Sequence, residues 1–293
     1  MSGTRATEAA ASAPAGPGSG SGGRHRLLAA LARAVPMPAG AGMARMLVER
    51  NLRVYRRGWL LLISGFFEPV FYLFSLGVGL GALVGEVDAG GGRSVPYAVF
   101  VAPAMLATSA MNGAVFDSTL NVFFKLKYAR LYDSVLSTPL GPRDVAVGEI
   151  AWAQTRGAIY AAMFMLVMAA AGLLRSWWAL LALPAALLVG LAFAAVGMAA
   201  TTWMRSWQDF DLLQLVVLPM FLFSATFFPL STYPPSLQPV VRALPLYHAV
   251  ELIRGLCLGA IDVGMLGHVG YLLVMGLVGL AVAARRLERL LLS

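Results

Sequence analysis

An all-α polytopic membrane protein is the fold class this sequence predicts, and three observations carry it. Hydrophobic residues make up 59% of the 293 positions and charged residues only 12%, with a mean hydropathy of +0.76, far from a soluble average. Several windows of about twenty residues carry almost no charge, which is the length a helix needs to cross a bilayer. Basic residues are concentrated in alternate segments between those windows, as the positive-inside rule expects of a multi-span chain.

Six spans are expected, at about 59–83, 96–116, 150–173, 178–203, 211–230 and 262–284. Seventeen of the 22 arginines and lysines fall in 1–58, 117–149, 204–210 and 285–293, against four in 84–95, 174–177 and 231–261. Both termini are therefore expected in the cytoplasm. The basic excess of +8 follows this segregation and points to anionic lipid headgroups, not nucleic acid. One cysteine, Cys257, excludes a disulfide framework and a cysteine-based metal cluster. His25, His248 and His268 are too far apart in sequence to resemble a metal motif.

The chain divides into three parts. Residues 1–42 form a disordered, basic extension: the first 23 are Ala, Gly, Ser, Pro and Thr with few exceptions, too polar and small to offset chain entropy. Nothing in that stretch has the apolar core of a signal peptide. Residues 43–58 form an amphipathic interface helix. Arg45, Glu49, Arg50, Arg53, Arg56 and Arg57 share one side of it, and Met43, Leu47, Val48, Val54 and Tyr55 the other. Residues 59–290 are the transmembrane domain.

Between the second and third spans lies a polar and aromatic island, Lys125 to Pro142. Tyr128, Leu131, Tyr132, Val135 and Leu136 recur at helical spacing, with Lys127, Arg130, Asp133 and Ser134 opposite them. Thr138-Pro139-Leu140-Gly141-Pro142 stops the helix, because proline lacks a donor and clashes with the preceding turn. Such a helix suits docking into a groove on another protein; a plain surface linker has the same pattern, and both readings stand at this point.

Polar residues inside the spans are few. Glu68 in the first span costs roughly 2.5–3.5 kcal/mol unless shielded or shallow, so it is expected to pair with a neighbouring helix or to face a water-filled path. Arg156, near a cytoplasmic end, is expected to snorkel. Gly77, Gly79 and Gly81 are placed to let helices approach closely. Residues 228–260 are semi-apolar and punctuated by prolines, so they are expected to form short helices that dip into the outer leaflet or cap a cavity. Within them Glu251 and Arg254 are spaced to pair, and His248 is expected to be a hydrogen-bonded outer-face residue.

Three stretches carry a resemblance: EPVFYLFSLGVGLG at 68–81, FFKLKYARLYDSVLSTPLGPRDVAVGEIAWAQTRG at 123–157, and FFPLSTYPPSLQPVVRALPLYHAVELIRGLCLG at 227–259. Together with the interface helix and six spans, they resemble type-2 ABC exporter permeases, and more closely the lipooligosaccharide branch typified by nodulation-factor exporters. The likeness covers about residues 45–290. It implies a permease for amphipathic cargo (a glycolipid, a lipooligosaccharide or a lipophilic drug), paired with a second permease copy and with separate ATP-binding subunits. ATP and magnesium would then be bound by the partner, and no cofactor or metal by this chain. The only lysines, Lys125 and Lys127, follow no GxxxxG loop, so the chain carries no Walker A phosphate cradle.

The resemblance also implies roles for residues. Lys127, Tyr128, Leu131, Tyr132, Val135, Leu136, Thr138, Pro139 and Leu140 would form the cytoplasmic coupling helix that docks on the ATPase, braced by Arg53 and Arg56. Glu68, Phe71, Phe74, Phe223 and Phe227 would line the substrate path, and His248, Glu251 and Arg254 would belong to the broken extracytoplasmic segment that gates it. The expected location is the bacterial cytoplasmic membrane. Two other readings remain open on sequence: a proton-coupled secondary transporter using Glu68, and a structural membrane subunit without transport.

Overall fold

A computed structural model of the chain describes residue 67 and residues 70–90, 93–128 and 141–292. The N-terminal extension, the interface helix with Arg53 and Arg56, Glu68, and the segment 129–140 lie outside the described residues.

The described part is predominantly helical. Helix α1, Val70–Val84, contains a π-helical stretch at Ser75–Leu80. A Cβ on Gly77 would stand 3.3 Å from the Cβ of Ala98, so that glycine allows the close approach to the next span, whereas Gly79 and Gly81 have nothing within 4 Å. Two short strands follow, β1 (Glu86–Asp88) and β2 (Ser94–Pro96), paired antiparallel with Val87 opposite Val95. This hairpin departs from the all-α expectation. Val87 and Val95 face each other across the pair, a Gly-rich connection joins the strands, and Ser94 Oγ donates to Glu86 Oε2 at 2.7 Å.

Helix α2 runs unbroken over Tyr97–Lys127, past the expected end at 116. Its first part, Tyr97–Phe116, is buried along most of its length. A π-helical turn at Asp117–Asn121 and a final stretch Val122–Lys127 complete it. Asp117 looked like the start of a loop, but it stays helical because a cation on α3 answers its charge. Helix α3, Pro142–Ala170, likewise begins before the expected 150. Proline at its first position lacks only a donor that would go unused there, and Asp144 Oδ2 accepts from the Gly141 backbone N–H at 3.0 Å, closing the N-terminus.

A 3-10 turn at Trp177–Leu181 leads into α4, Ala182–Thr201, a helix of small residues at the centre of the bundle. The last helix, α8 (Gly264–Leu292), crosses α4 at glycines. A Cβ on Gly279 would lie 2.8 Å from the backbone nitrogen of Val196, and one on Gly276 3.4 Å from Ala192 Cα. Bare backbone at these two points lets the helices pack against each other without a hydrophobic driving force between them.

Helix α5, Asp209–Phe223, ends well short of the expected 230. The chain then bends through Ser224–Phe228, with Ala225 at φ +54°. Two short helices, α6 (Gln238–Ala243) and α7 (Pro245–Leu258), occupy the stretch expected to be broken. Each starts on or next to a proline, and α7 ends on Gly259 in the left-handed region. Among the described residues three helices are long and apolar enough to cross a membrane: Tyr97–Lys127, Trp177–Thr201 and Gly264–Leu290.

Candidate functional site

Two polar clusters sit at opposite ends of the bundle. One lies where α2 and α3 approach the 129–140 segment. Lys125 Nζ meets Glu149 Oε2 at 2.6 Å, and Arg156 Nη1 meets Asp117 Oδ1 at 2.7 Å with both side chains buried. Arg156 Nη2 also donates to the Tyr160 hydroxyl at 3.1 Å. Arg156 therefore does not snorkel. The π-helical turn brings Asp117 within its reach, and a buried pair replaces the expected exit to the headgroups.

An aromatic cluster covers the same end. The ring of Phe123 meets Trp207 and Phe210 edge-on, at centroid separations of 5.9 and 5.2 Å. Tyr128 stacks on Phe124 at 5.7 Å and lies 6.0 Å from Trp207. Of the expected docking residues, Lys127 and Tyr128 are described. Both are exposed at the end of α2, Tyr128 by 57%. Leu131, Tyr132, Val135, Leu136, Thr138, Pro139, Leu140, Arg53 and Arg56 lie outside the described residues.

At the far end, Arg254 on α7 is buried and ties three segments together. It pairs with Glu251 Oε1 at 2.7 Å, donates to Phe100 O on α2 at 3.3 Å, and donates to Ala225 O at 2.7 Å. Its guanidinium also lies over the Phe100 ring, 3.9 Å from the centroid, the planar, multi-donor use to which arginine is suited. The Ala225 bond fastens a residue in an unfavourable backbone region.

His248 Nδ1 stands 2.7 Å from His268 Nδ1, so one ring donates to the other. The His248 ring stacks on Tyr271 at 4.0 Å, and the Tyr271 hydroxyl donates to Ala243 O at 3.1 Å. Burial and the neighbouring His268 push the His248 pKa below its ordinary 6.5. Sequence separation hid this pair; only the return of α8 past α7 brings the rings together. Among the described residues no group of three or more His, Cys, Asp or Glu side chains is arranged to hold a metal.

The aromatic residues expected along a substrate path do not form one cluster. Phe71 and Phe74 on α1 are 66% and 54% exposed, and Phe71 stacks on Phe67 at 5.8 Å. Phe227 packs on Phe221 at 5.1 Å, which in turn meets Tyr72 at 6.4 Å. Phe223 is exposed and lies 6.5 Å from Tyr233. The contact between α1 and the end of α5 thus runs through Tyr72 and Phe221, which carry the link between the two regions singled out in sequence. Glu68 lies outside the described residues.

Three described helices long and apolar enough to cross a membrane are what a multi-pass membrane protein requires. The family model for ABC-2 type transporters matches residues 44–258, and the chain belongs to that family. Among curated proteins it is similar to Nodulation protein J of Rhizobium leguminosarum bv. viciae, 37% identical over 260 residues that cover 86% of this chain and 98% of the relative. Nodulation protein J of Rhizobium leguminosarum bv. trifolii is 38% identical over 248 residues, covering 82% and 92%. That of Rhizobium meliloti (strain 1021) is 35% identical over 249 residues, covering 83% and 92%. The chain is a membrane transport component.

Proposed function

We propose that this chain is the permease subunit of an ATP-driven exporter that moves an amphipathic substrate, such as a glycolipid, a lipooligosaccharide or a lipophilic drug, out across the cytoplasmic membrane. The observation that carries the reading is the near full-length likeness to Nodulation protein J, which spans 98% of that relative. Six spans with both termini inside follow from the segregation of arginine and lysine. In that orientation the Lys125–Glu149 and Phe123–Trp207 end faces the cytoplasm, where a soluble subunit reaches it.

ATP and magnesium are bound by a separate ATP-binding subunit, and two permeases assemble with two such subunits. The segment Tyr128–Leu140 docks in a cleft of that subunit, braced by Arg53 and Arg56. The far end, with His248, Glu251 and Arg254, gates the exit. Phe71, Phe74, Phe223, Phe227 and Glu68 belong to the path. The supporting geometry is the position of Tyr128, exposed at the tip of a hairpin whose arms are joined by buried ion pairs.

The test is to purify the chain in mild detergent from its native membrane and identify its stoichiometric companions. One ATP-binding subunit per permease is the expected result. A chain that returns alone after gentle cross-linking overturns the reading and makes Glu68 the first residue to mutate for proton-coupled transport.

A further inference from the structure

Helix α5 buries little of its own surface within the described chain. Of its fifteen residues only Met220 is buried, while Leu212, Leu215, Val216, Leu218, Leu222 and Phe223 are exposed. What holds it is concentrated at its two ends. At the far end Phe221 is clasped between Tyr72 and Phe227. At the near end Trp207 and Phe210 flank its first residue, Asp209, and both rings press on Phe123 of α2.

The near end is stiff on both sides of that contact. Asp209 Oδ2 accepts the backbone N–H groups of Arg205 and Ser206 at 2.6 and 3.0 Å. These bonds hold the carboxyl below the usual carboxylate range. Across the contact, α2 and α3 are joined by Lys125–Glu149 and Asp117–Arg156. A displacement of α2 at Tyr128 is therefore shared with α3 through these ion pairs. It meets α5 through rings, since Phe123 and Tyr128 both touch Trp207.

We infer that Trp207 and Phe210 are positioning residues: a displacement of the α2–α3 hairpin at Tyr128 moves α5 by pushing on these two rings. The inference rests on the permease reading above. It adds that the force reaches α5 from α2 across this aromatic contact, and that Trp207 is its main carrier because it alone touches both Phe123 and Tyr128.

The experiment uses the permease co-purified with its ATP-binding companion. Spin labels are placed at Leu215→Cys on α5 and Leu166→Cys on α3, both exposed. The native Cys257 is fully buried and free, so labelling is directed to the introduced thiols. The label-to-label distance is measured without nucleotide and with ATP plus vanadate. The expected result is a distance shift in the otherwise native chain that is mostly lost in Trp207→Ala and returns in Trp207→Phe, with companion binding and ATP hydrolysis retained throughout. A full shift in Trp207→Ala overturns the inference, and so does the lack of any shift in the native background. Should Trp207→Ala fail to assemble, Trp207→Leu, which keeps an apolar side chain but removes the ring, is read by the same criteria. Lack of a companion in the first purification refutes the exporter reading itself, and is thereby distinguished from failure of the aromatic contact.

Discussion

Arg156 on α3 and Asp117 in the π-helical turn of α2 face each other at 2.7 Å, with 10% and 4% of their side chains exposed. The relationship explains two features at once: why α2 stays helical through a charged residue, and why an arginine inside α3 is tolerated. A π-helical turn shifts the register of side chains around the helix, and this one presents Asp117 to α3. Removing one partner strands a charge in a low-dielectric setting, which costs about 3–5 kcal/mol. Arg156→Ala is expected to lower the unfolding temperature of the detergent-purified chain markedly, and Asp117→Asn combined with Arg156→Gln to lower it less. Equal melting of Arg156→Ala and the native chain would mean that the pair contributes nothing.

Arg254 makes a different kind of contact, with one side chain serving Glu251, Phe100 O and Ala225 O. A lysine keeps the charge but lacks the planar fork and cannot reach three acceptors in those directions. Arg254→Lys is expected to cost about 2 kcal/mol, since a hydrogen bond to a charged group contributes about 1.5–3 kcal/mol. It should also loosen the Ser224–Phe228 bend, where Ala225 needs that bond to hold φ at +54°. Limited proteolysis checks this: cleavage within 224–237 should accelerate in Arg254→Lys, and an unchanged digestion pattern would separate the bend from Arg254.

The proline-broken stretch was legible because Pro239 and Pro245 mark helix starts by chemistry that is local to the chain. Long-range pairing was not. The expected second span stops one residue before Asp117, whose partner is 39 positions away. His248 and His268, 20 positions apart, have no shared motif, and only the crossing of α7 with α8 unites them. The hairpin of β1 and β2 was missed because three-residue strands in a short connection give almost no period to detect.

The imidazole pair makes the far end sensitive to acid. A hydrogen bond between two imidazoles needs at least one neutral ring, and burial together with His268 favours the neutral form of His248. The folded-state pKa of His248 is thus depressed below 6.5. Its contribution to stability is full above pH 6.5 and is lost as pH falls through the lower folded value. Tyr247 on its own helix and Tyr271 on α8 pack against His248, and a backbone hydrogen bond at Arg242 only partly offsets the downward shift. Melting temperatures measured from pH 7.5 to 5 should therefore fall on acidification, and His248→Phe, which keeps a ring for stacking on Tyr271, should flatten that fall. An identical acid profile in the variant would assign the effect to other groups.

The docking segment itself is tested by its apolar face. Tyr128, Leu131, Tyr132, Val135 and Leu136 recur at helical spacing, and Tyr128 stands exposed where α2 ends. If that face fills a cleft of an ATP-binding subunit, the central rings and branched chains dominate the contact, as buried anchors do in protein interfaces. Truncating Tyr132 and Leu136 to alanine together removes two anchors at i and i+4 while leaving every span untouched. The double variant should insert and fold as the native chain does, yet its companion should dissociate at least about tenfold more readily, which corresponds to a loss of about 1.4 kcal/mol. Substrate-stimulated ATP hydrolysis should fall with it. Full stimulation in the double variant would show that the ATPase engages the permease elsewhere, and attention would pass to Arg53 and Arg56.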